Sequence, residues 1–576
     1  MKSIKYLSLS ALVMFGLSSC SDFLDTVPDE RVEIQTELQV KQLLRNCYPD
    51  GNYGWLCEIS SDNLMDNNAP HMPASTQSKQ VEARYNLSPY DRMDDELFAF
   101  EPVRSSNGSD SPTSIWENYY SSIASVNHAL EAIDRIAKEN NGVMSNGLRA
   151  SRAEALILRA YDHFILVNIF CQAYKNPEAS KEDIGVPYVT EPETSVHVNY
   201  DRSTVADTYA KIQADLEEGL KDLTDVNFEK PKWYFNTKAA HAFAARFYLF
   251  TRQYDKVLEH ANAVLGTDDA NTLSMLMKND GFGGFYYADN FADYFQGPDQ
   301  PNNLMLLDTY SAIWRRSVGY RYSMNSFTAR EIYYHNMPLW NSWAINPTQI
   351  VEGLFGNGDY GYVSPKIAEK FQYSDKLAGI GYAHIIRREF TCNELLLERI
   401  EAEIMTGKYS AASSDLTLFT KSMFSYSESD MTAYFSNNKM KYLDDSVIQS
   451  WFAKATNYNC FENWDFTQNM SADFIIPAEA VPYMNCLNYF RRWETQWDGL
   501  RFFDLKRWGI EYSHVMGADR KVYKLTWNDP RRAIEIPQEV IAAGLPPSRP
   551  TDSATAPVPT IEEHESSDFE NKPNIQ

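Results

Sequence analysis

The sequence predicts a mainly α protein, a scaffold of about four tetratricopeptide-like helix pairs that carries an irregular, loop-rich lobe. Three observations predict it. Apolar residues recur at three-to-four spacing over long segments, and one segment has the small–aromatic–turn order of a helix hairpin. Two long insertions rich in Gly, Asn, Asp, Pro and aromatics separate the helical runs.

The chain opens on MKSIKYLSLSALVMFGLSSC, which has two lysines, a short apolar run and small residues ahead of Cys20. That is the layout of a secretory signal. At roughly 1.5 Å per helical residue the run is too short to span a bilayer comfortably. Two readings stand. In one this is an ordinary signal peptide and Cys20 is incidental. In the other, Leu17-Ser18-Ser19-Cys20 resembles the bacterial lipoprotein signal, so that Cys20 is the acylated (palmitate-bearing) membrane anchor and residues 1–19 are removed.

The helical elements follow in order. SIWENYYSSIASVNHALEAIDRIAKE (114–139) carries Ile115, Tyr119, Ile123, Val126, Leu130 and Ile133 near helical spacing, and Asn140-Asn141-Gly142 ends it. A second helix is predicted from Leu148 to Tyr174. After the turn GVPYVTEPE (185–193), a third covers 203–223 with Ser203 as its N-cap. The segment 237–266 sets the architecture. Ala240, Phe243, Ala244, Phe247 and Tyr248 form one stripe, Thr251–Gln253 break it, and Val257, Ala261 and Val264 continue in a partner helix. Residues 393–419 read as another hairpin turning at Gly407-Lys408.

Between them, residues 48–113 and 267–388 show no long helical period. GFGGFYYADNFADYFQG (281–297) and YGYVS (360–364) read as loops and short strands. The tail after Pro546 is polar and Pro-containing, which predicts an extended segment. No later stretch reaches 18 uninterrupted apolar residues; the densest, 153–170, carries Glu154, Arg159, Asp162 and His163 and reads as a buried helix.

Composition excludes some functions. The net charge is −25, and losing Lys2 and Lys5 with residues 1–19 takes it to about −27. Nucleic acid is therefore not an expected partner, since phosphate binding draws on Lys and Arg. Six cysteines follow Cys20 (Cys47, Cys57, Cys171, Cys392, Cys460 and Cys486), with no CxxC or zinc spacing. Cys47 and Cys57 either pair across a loop or stay as buried thiols.

The chain has no HExxH, no GxSxG and no P-loop. GNGDYG (356–361) matches GxGxxG without a strand–turn–helix context, so a turn explains it better. His163 and His241 read as structural helix residues, and no acidic loop follows the EF-hand pattern. No cofactor, metal site or catalytic residue is expected. With 36 Tyr, 30 Phe and 12 Trp, the chain is instead well supplied with rings that stack on sugars.

Several segments together resemble one family. CSDFLDTVPDE (20–30), SIWENYYSSIASVNHAL, RAEALILRAYDHFILVNIF with GVPYVTE, EFTCNELLLERIEAEIMTGK, RRWETQWDGLRFFDLKRWG (491–509) and RAIEIPQEVI (532–541) are similar, in order, to the SusD/RagB family of surface nutrient-binding lipoproteins. Within 491–509 the recurring residues are Glu494, Gly499, Arg501, Asp504, Leu505, Arg507 and Trp508; Trp497-Asp498 stand where Phe-Glu is expected.

The resemblance implies a single SusD-like domain over 20–576. Its helical scaffold would come from about 114–266 and 389–420, its loop-rich lobe from about 48–113 and 267–388, then the 491–541 region and a polar tail at 546–576. It also implies a non-enzyme, lipid-anchored at Cys20 in the outer membrane and facing the cell exterior. Such a protein captures oligosaccharide or polysaccharide for a SusC-like TonB-dependent transporter, and meets the membrane through its anchor only. Peptide binding, a transporter-capping scaffold without a ligand site, and a secreted hydrolase are the alternatives.

The family's sugar sites are arcs of aromatics with a few amide, carboxylate and guanidinium groups. Here the candidates for ligand contact are Asp62, Phe98, Phe100, Arg104, Asn107, Trp314, Tyr320, Tyr322, Trp340 and Trp343. Each has a competing role, core packing for the rings and loop capping for the polar groups. The residues of 491–509 are expected to be structural, because Arg and Asp interleaved with apolar residues suit a buried, ion-paired helix end.

Overall fold

The computed structural model describes residues 34–69, 86–193, 200–277, 288–325, 328, 332, 360–423, 443–453, 466 and 474–550. Cys20, Cys460, Trp340, Trp343, most of GNGDYG and the tail beyond 550 lie outside them.

Helices dominate, and their ends follow the local chemistry. Helix α1 (Pro112–Glu139) is capped by Ser111, which accepts from Ser114 N. It ends where Asn141 and Gly142 turn left-handed. Helix α2 (Asn146–Phe170) is capped by Ser145 and ends short of Tyr174. Helix α3 (Val205–Lys221) is capped by Thr204, not Ser203. The cause lies one residue upstream: the Ser203 carbonyl accepts from Gly185 N, and Thr204 bridges Ile184, so Ser203 still belongs to the extended chain.

Helices α4 (Thr237–Phe250) and α5 (Tyr254–Leu265) meet at the predicted break, where Arg252 is left-handed. Helices α6 (Cys392–Met405) and α7 (Tyr409–Ser422) turn at Gly407. Helices α8 (Val481–Thr495) and α9 (Leu500–Trp508) follow. Neighbours pack α1 on α2, α2 on α3, α4 on α5, α5 on α6, and α6 on both α7 and α8. Thus α3 leans on α2 instead of forming a separate hairpin. The stripe read from 237–266 is interior: Ala240, Phe243, Ala244, Phe247 and Tyr248 are all buried.

The insertions are more ordered than their composition suggests. Strands β1 (Met65–Asp66), β3 (Tyr322–Asn325) and β4 (Tyr360–Tyr362) form one antiparallel sheet. Strands β2 (Asn303–Thr309), β5 (Lys370–Asp375) and β6 (Ile380–Thr391) form another, in the order β2–β6–β5. Strands β7 (Tyr512–Met516) and β8 (Lys521–Leu525) pair as a hairpin. The reading of 281–297 as loops and short strands needs correction, since Ala288–Gln296 is helical. Ala292, Phe295 and Gln296 are buried there at i, i+3 and i+4, which is a helix face and not a strand's alternation.

The segment 491–509 is the structural clamp expected. Arg491 Nε donates to Asp504 at 2.6 Å, and Arg507 donates to Asp504 at 2.8 Å and to both Glu401 oxygens at 2.6 Å. Trp508 Nε1 adds a bond to Glu401. Gly499 is left-handed at φ 78°, and a Cβ there would stand 3.0 Å from Cys57 Cβ. The described cysteines Cys47, Cys57, Cys171, Cys392 and Cys486 are all buried free thiols, so Cys47 and Cys57 do not pair.

Candidate functional site

Two stretches far apart in sequence, 86–110 and 310–325, are drawn together by the buried Arg316 and the half-buried Arg321. The short helix Arg92–Phe98 is capped by Asp91, whose side chain accepts from Met93 N while the Asp94 carboxylate accepts from Asp91 N. Arg316 arrives from the other stretch. It donates to Asp94 at 2.9 Å and to Asp110 at 3.2 Å, while Ser311 and Ala312 N also donate to Asp110.

Burial pushes the Asp94 carboxyl up to about 6, against the pull of the Arg316 charge and a bond from Trp55 Nε1. A second clamp runs parallel: Arg321 donates to Asp66 at 2.6 Å and to Asp95 at 3.0 Å, and Tyr322 OH donates to Asp95 at 2.6 Å.

These clamps position a pair of rings at the surface. Tyr90 and Tyr320 are both half-buried and meet edge to face, with centroids 5.0 Å apart. The Arg316 guanidinium lies 4.7 Å from the Tyr90 ring centre. Trp314 is half-buried and rests partly on the core.

Arg92, Glu96, Glu101, Pro102, Arg104 and Ser105 line an open depression of about 500 Å³ on the same stretch. Glu96 holds its rim by accepting from Arg104 N, Ser105 N and Ser105 Oγ. Tyr90 stands two residues before Arg92, so one stretch carries both ring surface and guanidinium, carboxylate and hydroxyl groups, the kinds of group that hold a polyol. Among the described residues no group of three or more His, Cys, Asp or Glu forms a metal cluster.

The expected contact residues separate into two sets. Arg104 and Asn107 are exposed, and Trp314 and Tyr320 are half-exposed, all on the two clamped stretches. Asp62, Phe98, Phe100 and Tyr322 are taken up by the protein itself, which corrects their expected role. Asp62 accepts from Arg501 Nε and Nη2 at 2.7 and 2.8 Å. Burial alone would raise its pKa, but Arg492 and Arg501 outweigh that and hold it at about 2. Phe98 is buried between Tyr322 and His514, with centroids at 4.5 and 4.0 Å, and Phe100 stacks on His514 from 4.4 Å. Burial lowers His514 to about 4, so the ring is neutral between them. Sequence reasoning missed Tyr90, Arg92 and Glu96. The available signal was the Asp91–Asp94 capping box directly after Tyr90.

Comparison with known proteins adds to this geometry. Residues 22–249 match a SusD-like family model described as starch-binding, associating with the outer membrane. No curated protein matches the chain. Among solved structures, a SusD superfamily protein from Bacteroides thetaiotaomicron is 15% identical, covers 89% of this chain and 98% of its own, and superposes with a TM-score of 0.55. One from Bacteroides vulgatus is 15% identical with 90% and 100% coverage and a TM-score of 0.55. A SusD-like carbohydrate binding protein from Bacteroides vulgatus is 14% identical, with 90% and 99% coverage and a TM-score of 0.50. At such identity these likenesses speak for the fold.

Proposed function

We propose, from the premise that this chain is a SusD/RagB-like family protein, that it is a non-catalytic surface lipoprotein that binds oligosaccharide or polysaccharide. The observation that carries the reading is the Tyr90–Tyr320 pair, with the Arg316 guanidinium over the Tyr90 ring, on the stretch whose Arg92, Glu96 and Arg104 line an open depression. Rings so held lose little freedom on binding, and stacking on an apolar sugar face then costs little ordering. The description of the matched family as starch-binding, and of one structural neighbour as carbohydrate binding, supports the same ligand class.

Cys20 serves as the lipid anchor in the outer membrane, and the domain faces outward. The bound glycan passes to a SusC-like TonB-dependent transporter. The family model's association with the outer membrane supports this location. Cys20→Ala leaves the protein unacylated and released from membranes; retention unchanged on fractionation would remove Cys20 from that role.

A calorimetric screen of neutral glycans against the native chain tests the ligand class. Binding that is lost in Tyr90→Ala/Tyr320→Ala is the expected result. Binding to peptides alone, or release of reducing sugar from the glycan, would overturn the reading.

A further inference from the structure

Large apolar side chains that stand in solvent are concentrated in one place. Of those among the described residues, Tyr310 (42% exposed), Phe371 (51%), Tyr373 (52%), Leu377 (101%), Ile380 (60%) and Tyr382 (37%) belong to the β5–β6 hairpin or the end of β2. The few others are scattered. Single exposed apolar residues need no explanation, but a cluster of this kind marks a contact surface.

Register gives the cluster two faces. Gln372 lies opposite Tyr382, and Lys370 opposite His384, while Asp308 on β2 lies opposite Ile386. Directly opposed residues share a face, and so do residues two apart on one strand. Tyr382, His384, Gln372, Lys370 and Asp308 therefore share one side of the sheet. Tyr310 extends the same row, its ring 5.2 Å from that of Tyr382. His384 Nδ1 contacts the Asp308 carboxylate, which is half-exposed. On the opposite face Phe371 and Tyr373 meet edge to face at 5.0 Å. There the Gln372 carbonyl, and behind it the Phe371 ring, occupy the space that a side chain on Gly381 would need.

We propose that the Tyr310–Tyr382 face is a second carbohydrate-contact surface, one that engages a further stretch of a neutral polysaccharide; it rests on the reading that the chain binds glycan. The interleaving of groups selects this occupant. Tyr382 lies across the strands from Gln372, its ring stands 6.3 Å from that of His384, whose Nδ1 meets the Asp308 carboxylate, and the Lys370 ammonium pairs with Asp293 at 2.8 Å. A lipid or an apolar helix laid there would strip water from those groups without replacing their bonds. A sugar chain covers the rings with its apolar faces and bonds the polar groups with its hydroxyls. A neutral polymer also avoids repulsion from a chain of net charge −25. Tyr310 lies four residues before Trp314, so the two surfaces adjoin along the chain.

The test compares three proteins in native gels cast with soluble starch, laminarin, mannan or xylan: the native chain, Tyr310→Ala/Tyr382→Ala, and Tyr90→Ala/Tyr320→Ala. Thermal melts run alongside verify folding. The hairpin variant should lose about tenfold in affinity for the retarding polysaccharide, with an unchanged melt and unchanged affinity for a trisaccharide of the same glycan. Polymer affinity within twofold of native would overturn the proposal, and loss in Tyr90→Ala/Tyr320→Ala alone would leave the primary reading standing. Loss in the hairpin variant alone would support the second surface while removing the first. Retardation of the native chain by none of the four would overturn both.

Discussion

Asp62 shows how far a residue's type under-determines its role. A carboxylate in a polar, aromatic-rich loop has the composition of a sugar contact, yet both its oxygens are taken by Arg501, 439 positions away. The Arg-rich segment was legible as buried and ion-paired because charges interleave there with Leu, Phe and Trp. Its partners were not, because pairing across that separation leaves no local pattern. Removing one member of a buried pair strands the other charge, and Asp62→Asn is expected to cost about 3–5 kcal/mol in urea unfolding near pH 6.

The sign with pH follows from the depressed native pKa of about 2. The pair's contribution is complete above the unfolded value of about 3.9 and fades as pH falls toward 2. The gap between native and Asp62→Asn should therefore shrink at pH 2.5; a constant gap would contradict the assignment. Glu154 runs the other way. Burial raises it to about 7 despite the bond from Tyr48 OH. Stability linked to it is complete below about 4.3 and is lost as pH rises through 7. Glu154→Gln should flatten that decline in melts taken between pH 5 and 8.

At the scale of elements, helices with local caps and a clear period were readable: α1, the α4–α5 pair and the α6–α7 turn fall where spacing and Gly or Asn residues put them. Strand β6 was not. Its inner half carries Arg387, Arg388 and Glu389, polar residues that are nonetheless buried. Arg246 from α4 and the adjacent Arg387 satisfy Glu389. Because one of the two cations that neutralise Glu389 comes from a distant helix, the strand's sequence looks solvated. The turn into α9 is just as dependent on its neighbours, since Gly499 sits against Gly54 and Cys57 in a left-handed conformation. Gly499→Ala adds both strain and a clash, and about 1–3 kcal/mol of destabilisation is expected in a denaturant titration. A loss of less than a few tenths would mean that the turn is not constrained.

Across the whole molecule, the helical core supports two clamped stretches, and the rings they expose are few. The SusD-like fold was legible because its motifs recur in order along nearly the entire chain. The site was only half legible, since ring count cannot separate Tyr320 at the surface from Phe98 and Phe100 in the core. That division depends on His514, which comes from β7 to fill the space between those two phenylalanines. The central claim is that the Tyr90–Tyr320 pair binds glycan, and the most direct measurement is calorimetric titration of a retained neutral glycan into the native chain and into Tyr90→Ala/Tyr320→Ala. A loss of tenfold or more, about 1.4 kcal/mol, with an unchanged melting temperature is expected. Equal affinities in the two proteins would contradict it.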